Sequence, residues 1–320
     1  MALLLKIGSE GSEVTDLNSR LVSLGYLDKS HLNKTFSLDT HDALIKFQTE
    51  RGVVPDGICG PETWAAIVEA SWVLGSRPLY LRHPMLRGDD VAELQRKLNT
   101  LGFNAGRLDG IFGNNTVTAL REFQMNVGLN PDGIFGHRTF QNLNNVLPRH
   151  EVKDLIIDVK EKVMELNNHT LMENLRIGLG DCGSSPSFLS SLSRKLIALG
   201  IKCEALTNID QSSQASEANR LDVDICIVFQ LVSPHESNSI LYYHGYQYIS
   251  EPAKRLAMLF QTNLENQFEN IILKGMALPI LRETKMPSIF LKLGPTSKML
   301  KSIDLISQSI YKVMVDWTKS

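Results

Sequence analysis

The chain has 320 residues, with 43% hydrophobic and 21% charged residues and a formal net charge of -2. That composition describes an ordinary globular chain of two or three domains. It excludes a globally basic nucleic-acid binder or a polybasic membrane-surface protein. Four cysteines, Cys59, Cys182, Cys203 and Cys226, lie far apart without a CxxC spacing, which reads as free thiols rather than a disulfide frame.

The start, Met-Ala-Leu-Leu-Leu-Lys, has too short an apolar run for a signal peptide, and no stretch reaches the ~20 apolar residues a spanning helix needs. A cytoplasmic location is expected, with the cell-wall side open only if a leader was removed. The first half then repeats itself. Gly11-Ser-Glu-Val14, Leu17, Leu21 and Leu24-Gly25-Tyr26 recur as Gly88-Asp-Asp-Val91, Leu94, Leu98 and Leu101-Gly102-Phe103. Ala43-Leu44-x-x-Phe47-Gln48 recurs as Ala119-Leu120-x-x-Phe123-Gln124, and Asp56-Gly57-Ile-Cys-Gly60-x-x-Thr63-Trp64 as Asp132-Gly133-Ile-Phe-Gly136-x-x-Thr139-Phe140.

Val14, Leu17, Leu21 and Leu24 form one helical stripe, which Gly25 stops; Ala43, Leu44 and Phe47 form a second, and Pro61 opens a third helix after the Asp-Gly turn. The second copy has a further Asp109-Gly110-Ile-Phe-Gly113 turn, weakened in the first copy to Asn33-Lys-Thr-Phe36-Ser. Two three-helix repeats are therefore expected, at 1–71 and 84–147, with residues 71–83 as a linker. Their pattern resembles the peptidoglycan-binding-like domain (PG_binding_1 type). The resemblance implies a shallow groove lined by turn residues, with Asp56, Gly57, Trp64, Asp109, Gly110, Asp132, Gly133 and Phe140 as candidate contacts to peptidoglycan or its precursor fragments. The alternative is that these turns and aromatics only fold the module.

An amphipathic connecting helix is expected within 150–168, from Leu155, Ile156, Val159, Val163 and Leu166. From 174 to 320 the pattern alternates strand and helix: strands at 176–180, 201–206, 224–230, 239–244 and 287–293, helices at 188–199, 252–268 and 302–317. The expected class is two small all-α three-helix repeats followed by an α/β domain with a mostly parallel sheet covered by helices.

The run Met276 to Gly294, ending Pro287-Ser-Ile-Phe-Leu-Lys-Leu-Gly294, resembles the last core strand of the N-acetylmuramoyl-L-alanine amidases, zinc hydrolases that cut the lactyl-peptide amide of peptidoglycan. The resemblance covers roughly 175–318 and implies four key positions. The first zinc-ligand place, a His in the family, holds Asp181; the second, a Glu, falls on Ser185; the third, a His, holds Gln230; the general-base Glu is Lys292. Zinc sites need three good ligands and an open position, together with a proton acceptor. A carboxamide and a hydroxyl bind zinc poorly, and an ammonium repels it. No catalytic residue, metal or cofactor is therefore expected, and a Lys292–Asp181 ion pair would fill the old pocket. Cys182, His235 and His244 are further donors in principle, but without a metal-ligand spacing.

The domain order, together with the stretch from Arg82-His-Pro-Met-Leu-Arg-Gly-Asp-Asp-Val-Ala-Glu-Leu-Gln95 to Gly113, is similar to the actinobacterial CwlM-type proteins. That group implies either an N-acetylmuramoyl-L-alanine amidase or a cytoplasmic regulator of UDP-N-acetylglucosamine enolpyruvyl transferase. The missing ligands favour an inactive amidase-like protein of cell-wall biogenesis, the alternative being a zinc amidase with an atypical site.

Overall fold

A computed structural model describes residues 4–32, 34–146, 174–183 and 186–319, so the connecting helix expected within 150–168, and Ser185, lie outside the described residues. The described residues fall into two compact units, one N-terminal and one C-terminal. Among them no helix is long and apolar enough to cross a membrane.

In the N-terminal unit the first repeat contains α1 (Ser12–Ser23), α2 (Leu38–Arg51) and α3 (Pro61–Ala70), and the second α4 (Asp89–Thr100), α5 (Asn114–Asn126) and α6 (His137–Val146). Each repeat buries its helical stripes in its own core, Val14, Leu17, Leu21, Leu44 and Phe47 in one and Val91, Leu94, Leu98, Leu120 and Phe123 in the other.

A buried glutamine organises the turns. In the second repeat, Gln124 Nε2 donates to Asp132 Oδ1 at 2.8 Å and to the Ile134 carbonyl at 3.1 Å, while its Oε1 accepts from Gly133 N at 2.9 Å. Gln48 holds Asp56, Ile58 and Gly57 in the same way at 2.9, 3.0 and 2.9 Å, and Gln95 holds Asp109, Ile111 and Gly110 at 2.9, 3.1 and 3.0 Å. Each amide also lies beside the hydroxyl of a threonine in the following helix, Thr63, Thr116 or Thr139. The glycine is required because the turn sits at φ +68, +69 and +74 at Gly57, Gly110 and Gly133. At the fourth equivalent place Asn18 stands for the glutamine, and its Oδ1 accepts from the Thr40 hydroxyl at 3.0 Å.

Residues 71–83 are not a free connector. Leu79 is buried in the second core and exchanges backbone hydrogen bonds with Phe135 at 3.1 and 2.8 Å, and Leu74 packs against the same core. The second repeat thus extends N-terminally of the boundary expected at 84, just as Leu5 pairs with Cys59 in the first.

The C-terminal unit carries a six-stranded sheet in the order β2-β1-β3-β6-β4-β5. Its strands are β1 (Arg176–Asp181), β2 (Lys202–Ala205), β3 (Ile225–Leu231), β4 (Ser239–Tyr243), β5 (Ile272–Met276) and β6 (Ser288–Leu293). All neighbours pair in parallel except β4 with β6. The helices are α7 (Pro186–Ala198), α8 (Gln211–Leu221), α9 (Glu251–Leu264), α10 (Pro279–Glu283), α11 (Thr296–Lys301) and α12 (Ile303–Lys319). Ile177, Leu179, Ile227, Phe229, Ile289 and Leu291 form the main core with Leu192 of α7, Phe260 of α9 and Trp317 of α12. Packed on the opposite side are α8 and α10, where Ala215, Ala218, Ile280 and Leu281 are buried. The mostly parallel, helix-covered sheet agrees with the sequence pattern; α8, β5 and the short α10 and α11 were not anticipated.

Replacing Gln124 by Leu leaves the Gly133 N–H and the Asp132 carboxylate without their buried partner. We expect a loss of about 2–3 kcal/mol in urea unfolding. A loss below about 1 kcal/mol would contradict the assignment of the glutamine as the organiser of the turn.

Candidate functional site at the carboxyl edge of the sheet

The carboxyl ends of β1, β3 and β6 lie side by side, the place where open α/β sheets receive ligands. Register decides what stands there. Gln230 aligns with Lys292, whereas Asp181 aligns with Phe229, which in turn aligns with Leu291. Aligned residues share a sheet face and neighbours along a strand alternate. Gln230 and Lys292 are therefore adjacent on the face of α8 and α10. Asp181 belongs to the other alternating set, two strands and about 9–10 Å of backbone away. The Lys292–Asp181 pair expected from the sequence is thus not a pair of register-aligned neighbours. Asp181 and Lys292 both act electrostatically on Cys182, and Lys292 also on Glu236.

Glycines bring α8 close to this edge. A Cβ on Gly180 would stand 2.4 Å from Gln214 Oε1 and one on Gly178 3.1 Å from Val223, so neither position accepts a side chain without movement. Gln214, fully buried, donates from Nε2 to the carbonyls of Asp181 at 2.9 Å and Asn208 at 2.6 Å, tying the end of β1 to the loop before α8. Asp210 caps α8 by accepting from Ser213 N at 2.8 Å, and that hydrogen bond lowers its carboxyl pKa. Glu217 grips the same loop through Thr207 N at 2.9 Å and Asn208 Nδ2 at 3.1 Å.

Half-buried Cys182 follows β1 directly, its N–H donating to the Phe229 carbonyl at 3.1 Å. Burial pushes its thiol up to about 11, with Asp181 and Asp210 adding to the rise and Lys292 opposing it. Cys59, Cys203 and Cys226 are pushed by burial to about 12. All four are free thiols held in the unreactive form at neutral pH.

The other donors considered from sequence do not converge here. Ser239 at the start of β4 aligns with Lys292, and β4 runs antiparallel to β6. His244, just past the far end of β4, is therefore about 16 Å along the strand at the opposite edge of the sheet. His235 is exposed in the loop after β3. Among the described residues no group of three or more His, Cys, Asp or Glu side chains is placed to hold a metal ion.

The candidate residues of the repeats are spread over their turns. Asp56, Asp109 and Asp132 each also accept from the backbone N–H of the isoleucine two residues on, at 2.9, 2.9 and 2.8 Å. Trp64 packs on the first core with the Arg20 guanidinium 5.7 Å from its ring, and Phe140 meets Phe135 edge-on at 6.1 Å. These placements favour the architectural reading of the turns. The sequence had paired Gln48 with Gln124 between the repeats but given neither a role; a glutamine recurring ahead of each Asp-Gly-Ile was the available signal.

Residues 10–67 and 87–143 each match the family model described as a putative peptidoglycan binding domain (PG_binding_1). The chain is 40% identical over 149 residues to N-acetylmuramoyl-L-alanine amidase CwlM of Mycobacterium tuberculosis, covering 43% of this chain and 37% of that protein. It is 32% identical over 161 residues to a probable N-acetylmuramoyl-L-alanine amidase of Bacillus licheniformis, covering 45% and 46%. The chain thus spans less than half the length of these relatives. Among solved structures, the N-acetylmuramoyl-L-alanine amidase of Clostridium difficile 630 aligns with a TM-score of 0.38 at 16% identity, over 46% of this chain and 97% of that one.

Cys182 provides a local probe of this edge. Its alkylation rate should reach half its maximum at about pH 11. Lys292→Met removes a cation that favours the thiolate, so it should move that midpoint further upward. A midpoint near the ordinary thiol value of about 8.5 would refute the placement.

Proposed function

We propose that this chain is a non-catalytic amidase-like protein of cell-wall metabolism that binds peptidoglycan or its precursors. The observation that carries the reading is the pairing of Gln230 with Lys292 on one sheet face, at the edge where the amidase resemblance requires a zinc-binding imidazole and a carboxylate base. A carboxamide offers zinc a neutral oxygen, and a lysine ammonium beside it adds a repelling charge and no proton acceptor. The donors present do not fit zinc, so no hydrolytic step is assigned here. Loss of a general base alone slows such chemistry by about 10²–10⁴.

Binding is assigned to the N-terminal unit, on the strength of the two matched repeats. The narrower form of the proposal is regulatory: a cytoplasmic protein that senses wall material and acts on a precursor-synthesis enzyme, UDP-N-acetylglucosamine enolpyruvyl transferase. This form rests on the domain order and the Arg82–Gly113 stretch already noted in the sequence.

The test uses purified muropeptides at high protein load. We expect no released peptide bearing a new L-alanine N-terminus, with or without a chelator, while the protein sediments with insoluble peptidoglycan. Chelator-sensitive release of such peptides would establish the alternative, a zinc amidase with an atypical site. Failure to sediment would remove the binding assignment.

A further inference from the structure

The sheet face that carries Gln230 and Lys292 continues onto β4. Ser239, the first residue of that strand, aligns with Lys292 across the antiparallel pair. Gln230, Lys292 and Ser239 therefore stand side by side on three adjacent strands, β3, β6 and β4, their backbones about 4.8 Å apart. Each is partly exposed. One pleat inward, Val228, Phe290 and Leu241 align in the same way and are buried, so the row stands on an apolar floor. All three side chains carry donors: three on the ammonium, two on the carboxamide and one on the hydroxyl. Among the described residues none of these side chains has a hydrogen-bond or ion-pair partner.

The nearby carboxylates are engaged elsewhere. Glu236 feels the charge of Lys292, but its Oε1 accepts from the Ser233 hydroxyl at 2.9 Å and from Ser233 N at 3.3 Å. Asp210 caps α8, and Asp181 falls in the other alternating set. The row is also fixed at its outer strand. Asn238, just before Ser239, accepts at Oδ1 from Gly294 N at 3.0 Å and at its carbonyl from Ile272 N at 3.0 Å. A Cβ on Gly294 would collide with the Val232 carbonyl, so the chain leaving β3 and the chain leaving β6 approach closely only because that position is glycine.

We infer that Gln230, Lys292 and Ser239 form an oxyanion-binding site, which takes a phosphate or carboxylate group at the edge where the resemblance places a metal cation. Three donors in line, one of them charged and all above apolar side chains, give an anion charge-assisted hydrogen bonds that water screens only in part. A cation finds there only two neutral oxygens beside a positive charge. The site is independent of the peptidoglycan reading of the repeats, because it rests on strand register and unpartnered donors.

The experiment titrates the isotopically labelled full chain with inorganic phosphate, with acetate, and with chloride at matched ionic strength, following backbone and lysine side-chain NMR signals. We expect saturable shifts at Gln230, Lys292 and Ser239 with phosphate or acetate, and none with chloride. Tighter binding of phosphate identifies a phosphorylated ligand as the source of the anion, and tighter binding of acetate a carboxylic one. Lys292→Met should weaken binding by about tenfold or more and Ser239→Ala by about fivefold. Lys292→Arg, which keeps the charge and the donors, should retain most of the affinity. Shifts absent with both anions, or as large with chloride, would overturn the site. So would undiminished binding in Lys292→Met, whose dispersed spectrum shows whether the fold is intact.

Discussion

The register of β3 against β6 is the constraint from which the site follows. Phe229 and Leu291 are fixed in the main core, and a slip of one residue would exchange every side chain between the two faces of the sheet. Because burial of that apolar face fixes the register, Gln230 and Lys292 are left no choice but to stand together at the edge. The chemistry of this edge is thus dictated by the packing beneath it. The same register separates Asp181 from Lys292, although both end strands of one parallel sheet.

Most of this was legible in the sequence where apolar residues carry the pattern. The main positions of the helical stripes of the repeats and the runs Ile225–Phe229 and Ile289–Leu291 are buried as their periodicity implies. The helix α8 was not legible, because its inner face is Gln214, Ala215 and Ala218, too small and too polar to give a hydrophobic period. Strand β5 is an edge strand of five residues with exposed Ile272 and a glycine at 275, which blurs the alternation. The face on which Asp181 falls depends on strand pairing, which no single segment reveals.

The repeats show a similar division between what pattern discloses and what only packing explains. Asp-Gly-Ile turns were visible as turns, but their dependence on Gln48, Gln95 and Gln124 is tertiary. A buried amide that meets a carboxylate, a backbone carbonyl and a backbone N–H is fully satisfied, and such networks fix one geometry rather than many. The Arg51–Asp89 contact does the same between the repeats, and Arg77–Asp90 does so within the second. Polar interactions thus define the N-terminal unit as much as its apolar stripes do.

The claim that matters most is chemical: an ammonium beside a carboxamide cannot serve as half of a zinc hydrolase site. The direct measurement is the metal content of the purified full chain after equilibration with excess zinc and removal of loosely bound metal, with X-ray absorption to identify the ligands of any zinc retained. The account predicts no zinc held at the edge of β1, β3 and β6. One tightly bound zinc per chain in tetrahedral coordination at that edge would contradict it.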